Sequence, residues 1–232
     1  MAHVTTARDA IRTCGSGASW PQRLLRAPLR LLLWLLMRAL LRVTVEGARG
    51  DGPAVVVSNH PNLIDGLLVL MADPEMRPVA RWHRHALVRA GLWVGNCMIT
   101  TTGTPAVPRR GAFAPALAHL RAGGRVWIAP EGGWQPQTAL RSPRTGAVRL
   151  AQMTGAPLQV LAIRHQHHPG PDVTRWPRWT RPAVTLRWGP RVLTNGDLDG
   201  DLDRLMSTLA TATGMTWTPS RAPGPDAMPD RL

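Results

Sequence analysis

The hydrophobic pattern of the chain changes character several times. Residues 1–20 carry no sustained apolar period and no long apolar stretch before a small-residue cleavage site, so they are expected to be a flexible tail without a signal peptide. Residues 21–43, PQRLLRAPLRLLLWLLMRALLRV, are dense in Leu but broken by Arg. At 100° per residue, Arg23, Arg26, Arg30, Arg38 and Arg42 fall within about 160° of one helical circumference, with the Leu residues and Trp34 over much of the rest. This is the pattern of a basic amphipathic helix lying in a membrane interface. It also fits a helix packed on the core with a solvated Arg face. The longest uncharged run, Leu31–Met37, is far shorter than the roughly 20 residues a spanning helix needs. Pro28 is expected to kink the helix or to start its continuous part.

From Val43 onward, short β-branched runs alternate with helical periods. Strands are predicted at 43–47, 54–58, 79–82, 96–100, 125–129, 158–163 and 183–188. Helices are predicted at 67–72, 86–92, 114–121, 145–154 and 201–213. Asp73-Pro74, Gly123-Gly124 and Gly155 mark helix ends. This alternation predicts an α/β domain over residues 44–213. Residues 214–232 are Pro-rich and polar and are expected to be a disordered tail.

Composition sharpens this reading. The chain has 232 residues with a net charge of +14, and every one of its 28 cations is Arg. Such an excess favours anionic partners: lipid headgroups, phosphorylated substrates or nucleic acid. With 44% apolar residues the chain is neither disordered nor collagen-like. Cys14 and Cys97 lie in a tail and an apolar stretch, which excludes a disulfide framework and suits a reducing compartment.

Two segments can carry chemistry. Asn59-His60-Pro61-Asn62-Leu63-Ile64-Asp65 follows a buried strand. A carboxylate on one ring nitrogen of His60 would leave the other free to take a proton from an attacking hydroxyl. Pro130-Glu131-Gly132-Gly133 follows another strand and offers an acceptor beside backbone that a ligand can approach closely. Other signals are weaker. Asn195-Gly-Asp197-Leu-Asp199-Gly200 mimics the start of a calcium loop, but Met206 stands where a bidentate Glu is required. His165, His167 and His168 have no companion cluster with ligand spacing, so no metal is expected. Arg175-Trp-Pro-Arg178-Trp-Thr-Arg181 suits an interfacial loop, single-stranded nucleic acid or a plain surface. No Gly-x-Ser-x-Gly elbow occurs.

Taken together, the segments resemble the glycerophospholipid acyltransferase family, which includes the lysophosphatidate acyltransferases. Asn59, His60 and Asp65 match the family's first block. Pro130, Glu131 and Gly132 match its third, and Pro157, opening the apolar strand 158–163, matches its fourth. The resemblance covers residues 43–191. It implies a central mixed sheet flanked by helices, and transfer of a fatty acyl group to a hydroxyl of a lipid acceptor of lysophosphatidate type, in phospholipid biosynthesis. His60 would be the general base and Asp65 its orienter, while Asn59, Glu131, Gly132 and Pro157 would support or line the substrate site. It implies no metal, no cofactor and no covalent acyl-enzyme; acyl-CoA or acyl-carrier protein would be the donor substrate. The expected partners are an anionic membrane surface, the donor and a lysolipid, with no nucleic acid, at the cytoplasmic face of the cell membrane. The chain departs from the family at Thr101 and Trp134, where phosphate-binding Arg residues would stand. Arg109 and Arg110 are candidates to replace them. Three alternatives stay open: a catalytically silent membrane-binding protein of the same fold, an acyltransferase for a non-phosphate alcohol, and a hydrolase using the same His and Asp on water.

Overall fold

The computed structural model describes residues 20–62, 64–83, 86–100, 112–133, 139–166 and 181–218. Helix α1 (Trp20–Leu40) leads into strand β1 (Arg42–Glu46). Then follow β2 (Ala54–Val57), α2 (Asp65–Ala72), β3 (Arg77–Arg81), α3 (Ala86–Val94) and β4 (Met98–Thr100). The remainder comprises α4 (Phe113–Arg121), β5 (Arg125–Ile128), α5 (Gly146–Thr154), β6 (Leu158–His165), β7 (Ala183–Val192) and α6 (Leu198–Thr213).

The strands form one mixed seven-stranded sheet in the order β1-β7-β6-β2-β5-β3-β4. β6, β2, β5, β3 and β4 run parallel, while β7 is antiparallel to β6 and carries β1 parallel to itself. β2 sits where the connections diverge. The chain leaves β2 for β3 on one side, and leaves β5 for β6 on the other. Right-handed crossovers in opposite directions must use opposite faces of the sheet. Accordingly α2 packs on one face and α5 on the other. The carboxyl ends of β2, β5 and β6 therefore border the kind of crevice in which open α/β sheets bind ligands.

Period-2 alternation sorts the core into two layers. Val55, Val57, Val126, Leu158 and Val160 face α4, α5 and α6. Ala54, Val56, Trp127, Leu161 and Ile163 face α1 and α2. All four β2 side chains are fully buried, which explains why this strand reads as a continuous Val run rather than an alternating one. Residues 215–217, expected in the tail, extend the packed region. Met215 and Trp217 touch the first layer, and Leu140 N–H donates to Thr216 O at 2.9 Å.

Helix α1 departs from the expectation of a solvated Arg face. Arg26 and Arg30 are buried. The Arg30 guanidinium donates to the carbonyls of Val94 (2.8 Å), Gly95 (3.0 Å) and Pro74 (3.3 Å). Those of Val94 and Gly95 close α3, where the helix dipole favours a cation. Arg26 donates to Asn96 Oδ1 at 2.8 Å and stacks over Trp93. The opposite face is leucine: Leu24, Leu25, Leu29, Leu32, Leu35, Leu36 and Leu40 are each 41–63% exposed. The helix runs unbroken through Pro28, which lies on this outer face. No helix among the described residues is long and apolar enough to cross a membrane.

Candidate active site

The site begins with strand alternation. The second layer, followed past the end of β2 and to the last residue of β6, places His60 beyond Val56 and His165 after Leu161 and Ile163, on the face covered by α2. Asp65 opens α2 and is fully buried there. Its Oδ2 accepts from Asn62 N–H at 2.6 Å and faces His60 Nδ1 at 3.2 Å. Its Oδ1 faces His165 Nε2 at 2.8 Å. The loop between β2 and α2 is tied internally, since Asn62 Oδ1 accepts Ile64 N–H at 3.2 Å. Asn59 bridges to β6, donating to Ile163 O at 2.9 Å and accepting Ile163 N–H at 2.8 Å. Trp127 supports the other side: its ring meets His60 edge-on at 5.6 Å, and its Nε1–H donates to Ser58 Oγ at 2.8 Å.

Burial acts on Asp65 to raise its pKa and is the largest single influence. The hydrogen bonds from His165 and His60, with the attraction of both imidazoles, outweigh it and hold the carboxyl below its ordinary value. An ionised carboxylate has no proton to donate, so the ring nitrogens facing it carry theirs. His60 is thereby set as the Nδ1–H tautomer, and its Nε2 is left as a proton acceptor. His60 is 14% exposed and His165 4%.

One strand over, β5 delivers Glu131 and Gly132 to the same end of the sheet. Val57 is in register with Ile128, so His60 and Glu131 each lie three residues beyond paired positions. Glu131 Oε2 accepts Arg141 N–H at 3.2 Å. Gly132 has φ +75°, a backbone conformation that favours glycine, and a Cβ there would fall 2.3 Å from Arg144 Nε and displace that guanidinium. Arg81, closing β3, reaches Gly132 O at 3.5 Å. Two arginines thus flank the Glu131-Gly132 turn.

A family model described as Acyltransferase matches residues 41–164, more than half of the chain, and spans His60, Asp65 and the Glu131-Gly132 turn. The chain belongs to the acyltransferase family. Among solved structures, the acyltransferase is similar to the 1-acyl-sn-glycerophosphate (LPA) acyltransferase PlsC from Thermotoga maritima. The TM-score is 0.57 at 19% identity, covering 85% of this chain and 83% of that one. No curated protein sequence matches the chain.

His60 and Asp65 are in contact, and Asn59, Glu131 and Gly132 follow β2 and β5 at the same end of the sheet. Pro157 is a correction. It precedes β6, and its carbonyl accepts Val55 N–H at 2.9 Å at the start of β2, the end of the sheet remote from His60. Its contact there is with the sheet. Arg109, Arg110, Thr101 and Trp134 lie outside the described residues. The sequence marks His165 only as a candidate metal ligand, and it assigns no site role to Asn62, Arg81 or Arg144. The signal for His165 was the alternation Leu161, Ile163, His165, which carries the buried face of β6 one step into the site.

Proposed function

We propose that this acyltransferase moves a fatty acyl group from an acyl-CoA or acyl-carrier-protein thioester to a hydroxyl of a glycerolipid acceptor of lysophosphatidate type. The observation that carries this reading is His60 held through Nδ1 by an ionised, buried Asp65, beside a glycine turn flanked by Arg81 and Arg144. His60 Nε2 takes the proton of the acceptor hydroxyl as its oxygen attacks the thioester carbonyl. The carbon–sulfur bond then breaks, and the imidazolium returns its proton to the leaving thiolate. Asp65 stabilises the imidazolium while it exists. Planar guanidiniums suit a phosphate because they pair two oxygens at once. β3 lies two strands from β2, about 10 Å away, a span that an Arg side chain and a glycerol phosphate cover together.

The enzyme works, on this proposal, peripherally at the cytoplasmic face of a membrane. The leucine face of α1 supports this, because seven half-exposed leucines on one helix face form an apolar patch of the kind that marks an interaction site. Vesicles test it. The protein is expected to sediment with anionic vesicles, and Leu32→Glu/Leu36→Glu to remain in the supernatant while folded. Equal sedimentation of both would dismiss α1 as the anchor.

The acceptor is tested by supplying labelled acyl-CoA with lysophosphatidate, lysophosphatidylcholine or a long-chain alcohol and reading the products by mass spectrometry. Phosphatidate is expected as the main product, with Arg81→Ala and Arg144→Ala each raising the KM for lysophosphatidate. A non-phosphate alcohol is the second reading, favoured by Thr101 and Trp134 at the family's Arg positions. Acylation of the alcohol in preference to lysophosphatidate would establish it. Absence of any acylated product would leave the silent fold.

A further inference from the structure

Asp65 is held from two sides, and the acyl-transfer chemistry above uses only one of them. We infer that His165 is a positioning residue for the reaction: a second imidazole that pins the Asp65 carboxylate so that Oδ2 stays aimed at His60. This rests on His60 acting as the base. His165 lies 100 positions from Asp65 and arrives on a different element, β6, so the contact is not an accident of local chain geometry. It is shorter than the His60 contact, 2.8 against 3.2 Å, and still more enclosed. Asn59 holds Ile163, two positions before His165 on the same face of β6, by both of its backbone groups, which helps set where His165 falls.

The role follows from counting donors. Oδ2 receives Asn62 N–H and His60 Nδ1–H, and Oδ1 faces His165. Without His165 a fully buried carboxylate would lose the partner of one oxygen. The group would then rotate toward other donors or take up a proton, and either change loosens its grip on His60. The choice of imidazole also matters. A guanidinium would satisfy Oδ1 equally well, but its permanent charge would cancel that of Asp65. An imidazole, unlike a guanidinium, can give that hydrogen bond without carrying a permanent charge, which leaves the negative charge of Asp65 available for the His60 imidazolium.

The test uses two variants of the whole chain. His165→Gln keeps an N–H donor near the place of Nε2, and His165→Leu removes it. With His165→Leu, kcat is expected to fall roughly 10–100-fold, the usual scale for a displaced catalytic group, with KM within about twofold. His165→Gln is expected to recover most of the loss. Low-field proton NMR supplies a readout independent of turnover. The wild type should show two hydrogen-bonded imidazole N–H resonances. Both variants should lack one, and His165→Leu should shift the other, that of His60. A His165→Leu enzyme with wild-type kcat and an unmoved His60 resonance would overturn the inference, as would His165→Gln failing as badly as His165→Leu while both melt like the wild type. His60→Ala is assayed in parallel. If it retains full turnover, the reading of His60 as the base falls, and the His60 resonance in His165→Leu decides the positioning claim alone.

Discussion

Helix α2 begins and ends on a buried aspartate, and the two ends of this one helix treat the same side chain differently. Asp65, at its start, is met by two imidazoles and one backbone N–H. Asp73, at its end, is met by two guanidiniums: Arg125 Nη1 at 2.9 Å and Arg49 Nη1 at 3.1 Å, with Glu75 N–H also at 3.1 Å. Arg125 further donates to Gly52 O and Gly50 O, so a single guanidinium clamps the chain before β2, the end of α2 and the start of β5. Both carboxylates are inaccessible to solvent. Arginine never surrenders its proton under ordinary conditions, whereas histidine exchanges its proton near neutral pH. Identical burial therefore accompanies a fixed brace at the amino ends of β2 and β5 and a carboxylate paired with titratable side chains at their carboxyl ends.

The contrast can be broken most sharply by removing one partner at each end. His60→Ala is expected to lower kcat by roughly 10²–10⁴, the weight of a positioned general base, while the melting temperature stays close to that of the wild type. Wild-type turnover in that variant would end the case for His60 as the base. Arg125→Ala should do the reverse. Stranding a buried charge costs about 3–5 kcal/mol; Asp73 would keep Arg49 and the Glu75 N–H, so the loss falls toward the lower end of that range, and each kcal/mol is worth about 2–4 °C in a domain of this size. Calorimetry is expected to show a melting temperature lower by about 10 °C, with turnover per folded molecule unchanged. A stable but inactive Arg125→Ala would mean that the two ends are not separable.

The smallest effect concerns acid. The fold holds Asp65 below its ordinary carboxyl value of 3.8, so it favours the ionised form. The stability this contributes is complete above that ordinary value and is lost as the pH falls through the lower native one. The stability difference between wild type and Asp65→Asn, followed by urea unfolding between pH 6 and pH 2, is expected to shrink toward the acid end. A constant difference would show that the fold does not favour the carboxylate.

The sequence made one end of this comparison visible and hid the other. His60 and Asp65 stand five residues apart across a short turn, so their pairing could be read locally. The strands were legible because Val and Ile runs buried on both faces carry little else. His165 was not, since its link to Asp65 depends on β6 lying beside β2, a fact of topology. Arg125 reads locally as an ordinary first residue of a strand; its brace spans 52 positions to Asp73 and 73 to Gly52. Pro157 misled for a physical reason: a proline that opens a strand marks its amino end, whereas this sheet presents its chemistry at carboxyl ends. The helical period of α1 puts Arg26 and Arg30 opposite the exposed leucines, while Arg42, counted in the same period, opens β1 instead. It could not say which side faces the protein, because the carbonyls at the end of α3 that receive Arg30 lie 64 and 65 positions away in sequence.

The sheet order has a consequence for how the chain comes together. β1 is an edge strand, and its sheet partner is β7. Arg42 reaches Arg181 O across 139 positions, and Arg181 in turn bonds the carbonyls of Arg38 and Leu41 at the end of α1. During synthesis, therefore, α1 and β1 emerge early and wait for most of the domain before the sheet can receive them. Contacts of such long sequence separation form late, because the loop must close before the pairing rewards it. Until then the part of the sheet's chain waiting for its partner is a leucine-faced helix joined to an unpaired strand. Its uncovered leucine face and open strand edge leave it prone to aggregation during that wait.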